Sequence, residues 1–310
     1  MLSKTPRILN FDNSLLLQEQ LVSGYSAHIV DLTRFSSDAR MWMNRKTCQA
    51  ISSALGPELK NAVTFLGSGD YHNVTSLLLE QFKEPLNLIV FDHHPDWDIL
   101  PPKFGCGSWV SRALEQPNIK KIILLGISSQ DISWPAIKSA NLSGLKDNRI
   151  EIYPYEHEPT RVFLRRLAPN VSVRLTKKLF STVINWNQLK NINPDNLIPQ
   201  LLPRLEARKT YVSIDKDCLS ADAACTNWEE GRMPLSMLLL LLGQIRGHLD
   251  IVGLDITGEY SQPGFSSIFK SLISRLDHPT GYSAKNKSPQ QINSINQATN
   301  IAILKALESA

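Results

Sequence analysis

Three clusters of ionisable side chains stand directly behind apolar runs in this chain. The first reads Gly67-Ser68-Gly69-Asp70-Tyr71-His72, the second Asp92-His93-His94-Pro95-Asp96, the third Ser213-Ile214-Asp215-Lys216-Asp217. A lone Asp in such a place caps a helix or closes a turn. Three clusters in the same context offer six metal ligands: His72, Asp92, His94, Asp96, Asp215 and Asp217. In extended chain, residues i, i+2 and i+4 share a face. Asp92, His94 and Asp96 are therefore expected to point one way, and Asp215 and Asp217 likewise. Four carboxylates meeting in one pocket cannot all stay ionised without compensation. Two divalent cations balance them, with His72 and His94 as neutral imidazoles. Carboxylates with some imidazole suit manganese. The charge count leads to an expectation of two divalent ions per chain.

The runs that carry these clusters have strand character. Strand candidates lie at 27–30, 62–66, 86–91, 119–125, 150–153, 179–184, 211–214 and 250–254. Several are continuously apolar, the pattern of strands buried on both faces in a parallel sheet. Helical patterns lie between them, for example at 38–55, 73–82 and 235–248. Repeated strand-then-helix units predict an α/β fold, three α/β/α layers around an eight-stranded, mostly parallel sheet. In such sheets ligands gather beyond the carboxyl ends of the strands, where all three clusters fall. One domain over residues 1–310 is expected. The polar segment 277–290 is read as a link to a C-terminal helix at 292–307.

Composition narrows the classes. The chain has 310 residues, 42% hydrophobic and 20% charged, which excludes a disordered chain and a disulfide-stapled scaffold. A net charge of +4 with scattered basic residues gives little support for a nucleic-acid partner. The first 25 residues hold no apolar core of signal-peptide length, and the longest oily stretch, 237–242, falls short of the about 20 residues of a membrane span. The four cysteines form no CxxC pair. The expectation is a cytoplasmic protein with a small-molecule substrate and neither nucleic-acid nor membrane partner.

At the three clusters the chain resembles the arginase/agmatinase/formimidoylglutamase superfamily, the ureohydrolases. That family carries a GGDH-type segment, a DxHxD segment and an SxDxD segment in this order. Here they read GSGDYH (67–72), DHHPD (92–96) and SIDKD (213–217). The resemblance implies an arginase-like fold, a homo-oligomer, and two Mn²⁺ ions. One ion would take His72, Asp92, Asp96 and Asp215, the other Asp92, His94, Asp215 and Asp217, with Asp92 and Asp215 bridging. It also implies hydrolysis of a C–N bond in a guanidino, amidino or amide compound by a metal-bridging hydroxide that Asp96 orients.

The chain departs from the family at several places. Asp70 and His72 are separated by Tyr71, one residue more than in GGDH. Cys106 stands where the arginine and agmatine hydrolases have a proton-transferring His. Gly258 stands where they have a guanidinium-gripping Glu, with Glu259 one residue late. Cys106 and Glu259 are therefore candidates for the catalytic roles beside Asp96, and the substrate is expected not to be plain arginine. Lys216 is expected to face away from the metals, or else to neutralise a nearby carboxylate, and Cys218 to pack. Arg232 is a candidate for meeting a substrate anion, or else is solvated. The alternatives are a single-zinc, deacetylase-like amidohydrolase of the same fold and a catalytically silent metal-binding protein.

Overall fold

The computed structural model describes residues 2–3, 5–56, 60–163, 167–277, 284 and 287–308, with side chains omitted for 275–277. Its strands are β1 (Arg7–Asn10), β2 (His28–Asp31), β3 (Val63–Ser68), β4 (Leu86–Phe91), β5 (Ile119–Leu125), β6 (Ile150–Tyr153), β7 (Thr160–Phe163), β8 (Val173–Lys177), β9 (Ser181–Trp186), β10 (Lys209–Asp215) and β11 (Asp250–Glu259). Its helices are α1 (Ser36–Ala39), α2 (Arg45–Ala54), α3 (Thr75–Leu79), α4 (Trp109–Glu115), α5 (Leu142–Lys146), α6 (Pro194–Leu201), α7 (Leu235–His248), α8 (Ile268–Asp277) and α9 (Pro289–Glu308). Eight strands form one sheet in the order β2-β1-β3-β11-β10-β4-β5-β6, and every pairing in it is parallel.

The sheet is covered on both faces, which is why its central strands are buried along nearly their whole length. Along β4, Leu88 and Val90 join the cluster roofed by α2, α3, α4 and α5, while Ile89 and Phe91 join the cluster roofed by α6, α7 and α9. Alternation with a period of two sends successive side chains into two different cores. Each fully buried Leu, Ile or Phe contributes about 1.5–3 kcal/mol. The helix α7 is apolar almost all round, and Leu238, Leu241, Leu242 and Ile245 are its buried stripe. Pro234 precedes it, and Arg246 and His248 in its last turn face the negative end of its dipole. No helix of the described residues is long and apolar enough to cross a membrane.

Two expectations about elements need correction. The strand expected at 179–184 is not in the main sheet. It appears as β9, antiparallel between β7 and β8 in a separate three-stranded sheet. The eighth strand of the main sheet is instead β1. The helix expected over 38–55 breaks between α1 and α2, where Arg40 is buried and Met41 sits at φ +62°. It restarts behind Asn44, whose side chain accepts from Thr47 N at 2.9 Å. Of the link at 277–290, residues 278–283, 285 and 286 lie outside the described residues, and the C-terminal helix is α9.

Candidate metal centre

Chain order sends β3 and β4 to either side of β11 and β10, so the carboxyl ends of β3, β10 and β4 border one crevice. The three clusters meet there. His72 Nδ1 lies 3.2 Å from Asp92 Oδ2, 3.3 Å from Asp96 Oδ2 and 3.5 Å from Asp215 Oδ2. His94 Nδ1 lies 2.9 Å from Asp217 Oδ2 and 3.8 Å from Asp92 Oδ1. Two groups have the spacing of metal ligands, His72 with Asp92 and Asp96, and Asp92 with His94 and Asp217; Asp92 belongs to both.

The extra residue before His72 is absorbed by a 3-10 turn over Gly69–Val74. Three residues per turn send Asp70, Tyr71 and His72 in three directions. Asp70 pairs with buried Arg40, Tyr71 stacks on Phe11 at 4.7 Å, and His72 faces the carboxylates. Gly69 lets the turn approach the centre, since a Cβ there would lie 2.8 Å from Asp215 Oδ2.

Simple alternation is not what gathers the other ligands. Beyond β4 the chain bends rather than staying extended. Asp92 Oδ1 accepts from His94 N at 2.7 Å, and Asp96 sits at φ +48°, a conformation Asp tolerates better than most residues. Beyond β10, Asp215 Oδ1 accepts from Asp217 N at 3.1 Å in a tight turn. Short Asp-centred turns aim these side chains.

The partners of the ligands orient them. His72 Nε2 and Ser213 Oγ are 2.9 Å apart, and Ser213 Oγ donates to Asp255 Oδ1 at 2.8 Å. Asp255 also accepts from Thr75 at 3.1 Å. Burial pushes the Asp255 carboxyl up, and these hydrogen bonds resist that. With Ser213 donating to Asp255, His72 donates from Nε2 to Ser213, and Nδ1 is left to face the cluster. Both His72 Nδ1 and Asp92 Oδ2 are buried without a hydrogen-bond partner. Asp96 Oδ2 accepts from Trp109 Nε1 at 2.7 Å. Asp217 Oδ1 accepts from His93 N at 3.0 Å.

The electrostatics match a cation site. Burial and the nearby Asp217 push Asp215 up to about 8. Burial, Asp96 and Asp217 push Asp92 well up, and burial also raises Asp96. Asp217 moves down, because His94 outweighs its burial. Burial alone would hold His72 and His94 neutral, but the Asp partners of each push its pKa well up. Without a cation, protons must compensate the negative charge. A divalent cation fits the orphaned His72 and Asp92 atoms, displaces those protons, and finds a donor set of carboxylate oxygen and imidazole nitrogen.

The candidates from the three departures fall apart. Cys106 lines the cavity in front of the centre. Glu259 does not. The strand β11 continues through it with a register shift at Thr257/Glu259, and Gly258 takes φ +87°. That bulge turns the Glu259 carboxylate away from the cavity, where it pairs with Lys216 and accepts from Gln18 at 3.0 Å and Asn300 at 2.7 Å. Nor is Gly258 an open position: a Cβ there would lie 2.5 Å from Asp215 Oδ1. Lys216 faces away from the centre, as expected, and Cys218 is buried in the core. Arg232 is solvent-exposed beside Glu156 at 3.5 Å and is absent from the cavity lining.

Several site residues escaped the sequence reading. His93, with Nε2 3.5 Å from Glu229 Oε2, forms a third ligand-like group with His94 and Glu229. Its hydrogen bond holds the Glu229 carboxyl below its usual range. The Trp228 indole donates to Asp70 at 3.1 Å and meets the His94 ring edge-on at 5.5 Å. Ser213 was within reach of sequence reasoning, two residues before Asp215 on the same strand face. Trp228 and Glu229 sit in a loop with no periodicity to mark them.

No family model matches the chain. An uncharacterized protein of Thermotoga maritima is 28% identical over 210 residues, which is 66% of this chain. The match spans 62% of that relative's length, under two thirds of it. Among solved structures, an arginase of Entamoeba histolytica in complex with L-ornithine superposes with a TM-score of 0.59 at 10% identity over all of both chains. Arginase from Bacillus caldovelox gives 0.56 at 10% identity, over 97% of this chain and 98% of that one. Proclavaminate amidino hydrolase from Streptomyces clavuligerus gives 0.52 at 14% identity, over 91% and 74%. The fold is that of the arginases.

Proposed function

We propose that this protein is a binuclear manganese hydrolase that cleaves a C–N bond in a guanidino, amidino or amide small molecule other than plain arginine. The observation that carries the reading is Asp92, which belongs to two ligand groups at once, His72–Asp92–Asp96 and Asp92–His94–Asp217. Asp215 lies against the first group and caps the turn that holds Asp217. His72, Asp92, His94, Asp96, Asp215 and Asp217 would hold two divalent ions, whose charge balances the four carboxylates. When bound, the ions supply a water acidic enough to ionise near neutral pH and polarise the bond to be broken.

The chain's own groups do the rest. Asp96, fixed by Trp109, orients the attacking water and takes up its proton. Ser213 and Asp255 fix the His72 ring. Cys106, which lines the cavity, would donate a proton to the leaving nitrogen. The same reading takes the chain as one domain acting in the cytoplasm as a homo-oligomer. The sparse cysteines, none in a CxxC motif, and the mild charge support a cytoplasmic small-molecule enzyme.

The test is a screen of guanidino, amidino and amide compounds for release of urea, ammonia or amine, using Mn²⁺-reconstituted and metal-stripped protein with elemental analysis of both. Two ions per chain and metal-dependent turnover are expected. Asp92→Asn should abolish turnover and loosen both ions together. A single tightly bound zinc with no second site would overturn the binuclear reading in favour of a deacetylase-like one.

A further inference from the structure

The cavity before the candidate centre encloses about 690 Å³. Its charges are one-sided. Besides Asp92, Asp96, Asp215 and Asp217 the lining carries Asp98, Asp131 and Glu229, and it includes no Lys or Arg among the described residues. Two divalent ions offset the first four carboxylates, and Asp98, Asp131 and Glu229 add acidity that no Lys or Arg of the lining meets. The basic residues near the walls are turned elsewhere: Arg40 to Asp70 and Ser261, Lys270 to the carbonyl oxygens of residues 37, 38, 40 and 42. A substrate anion such as an α-carboxylate meets no counter-charge on this lining apart from the metals themselves.

The lining also carries a sizeable apolar group. Met41, Trp42, Leu100, Phe269 and Ile273 belong to it, with Trp42 and Phe269 edge to face at 6.3 Å. Leu100 is 59% and Phe269 66% exposed at the mouth, so both have apolar surface left to bury. Next to the centre the lining changes to Trp228 and Glu229. The indole ring is anchored through Nε1 to Asp70, and the carboxylate stands 3.5 Å from His93 Nε2. An aromatic face beside a carboxylate attracts a cation that retains some hydrocarbon character.

We infer that the ligand of this cavity is an amphipathic cation, its guanidinium, amidinium or ammonium group held between Glu229 and Trp228 and its apolar body running along Trp42, Leu100 and Phe269 to the mouth. This deepens the hydrolase reading, and it makes Glu229 the specificity-determining carboxylate in a position unrelated to Gly258 and Glu259. A carboxylate contributed by the loop before α7 replaces one that β11 cannot present.

The experiment is calorimetric binding of n-alkylguanidines from butyl to octyl to the Mn²⁺-loaded full chain. Matched n-alkylureas remove the charge, and ω-guanidinoalkanoates of equal length add an anion at the tail. Affinity should rise about two- to fourfold per added methylene. The guanidinium should bind at least about tenfold tighter than the urea of the same length, and the ω-carboxylate should weaken binding by a comparable factor. Glu229→Gln should remove most of the guanidinium-over-urea preference when binding is compared at equal Mn²⁺ occupancy. Phe269→Ser should flatten the chain-length dependence. Equal binding of urea and guanidinium, affinity independent of chain length, or equal weakening of both heads by Glu229→Gln would overturn the inference. Selective binding without turnover of any compound would support it and sink the hydrolase reading. Efficient turnover confined to short, ω-carboxylated guanidines would do the reverse.

Discussion

Asp215 carries a strongly disfavoured charge in the candidate centre. Burial and the neighbouring Asp217 push it up to about 8 in the metal-free protein, against about 3.9 for an unperturbed Asp. Between these values the folded chain binds more protons than the unfolded one. Stability changes with pH as 2.303RT times protons bound unfolded minus protons bound folded. That difference is negative here, so the metal-free protein should lose stability as pH rises from about 4 to 8. His72 and His94, both raised, act in the same direction. Mn²⁺ takes the place of the protons, so the gain in Tm on adding it should grow from pH 5 to pH 8, and Asp215→Asn should flatten that trend. Melting curves with and without Mn²⁺ across this range decide it: a gain that stays flat or shrinks with pH contradicts the assignment. The ligand types were legible in sequence because three polar clusters each followed an apolar run. Their aim was not, because side-chain hydrogen bonds within Asp-centred turns, rather than strand alternation, set it. Glu259 misled for a related reason: a bulge at Gly258 reverses a side chain without leaving a mark on the hydrophobic pattern.

Among the elements, α8 shapes the cavity more than its length suggests. Phe269 and Ile273 line the cavity, and Lys270 between them donates to the carbonyl oxygens of residues 37, 38, 40 and 42 at 3.0, 2.9, 3.0 and 2.6 Å. One ammonium thus ties the helix to the turn that follows α1. Lys270→Met keeps the stem but leaves those carbonyls without their donor, a loss of about 1–3 kcal/mol. Faster hydrogen exchange should appear in α8 and in residues 37–42, with β4 and β5 unchanged. Uniform protection across all of these segments would show that apolar packing alone seats α8. Element legibility followed burial. The strands β4 and β5 have the bounds read from their apolar residues, which cluster at 88–91 and 122–125 because both faces of the sheet are roofed. The strand β1 is only four residues, RILN, with a polar residue at each end, too short to show a period. The break between α1 and α2 follows from burying Arg40 against Asp70, a tertiary demand that the helical pattern of 38–55 does not contain.

Across the whole molecule, residues far apart in sequence meet behind the candidate centre. Gln18 comes from the segment after β1, Lys216 from the end of β10, Glu259 from the end of β11 and Asn300 from α9. Gln18 and Asn300 donate to the two Glu259 oxygens, Asn300 also donates to Gln18 at 2.8 Å, and Lys216 pairs with Glu259. Lys216 stands between the candidate ligands Asp215 and Asp217, so this network holds the turn that aims both. Removing one partner of a buried ion pair costs about 3–5 kcal/mol, because the remaining charge is left uncompensated, whereas removing both charges costs far less. Lys216→Met should therefore destabilise the fold by about that amount and weaken Mn²⁺ binding by about 10–100-fold, as the loss of an outer-shell support does. Lys216→Met combined with Glu259→Gln should recover most of the stability, since the amide still accepts from Asn300 or Gln18 without carrying a charge. Denaturant unfolding and Mn²⁺ titration of the two single variants and the double variant form a complete cycle. Additive losses would mean that Lys216 and Glu259 act independently. Unchanged Mn²⁺ affinity in Lys216→Met would mean that the turn holds its shape without the network. Recovery of both stability and affinity in the double variant would tie the two ends of the described fold to the geometry of its metal centre.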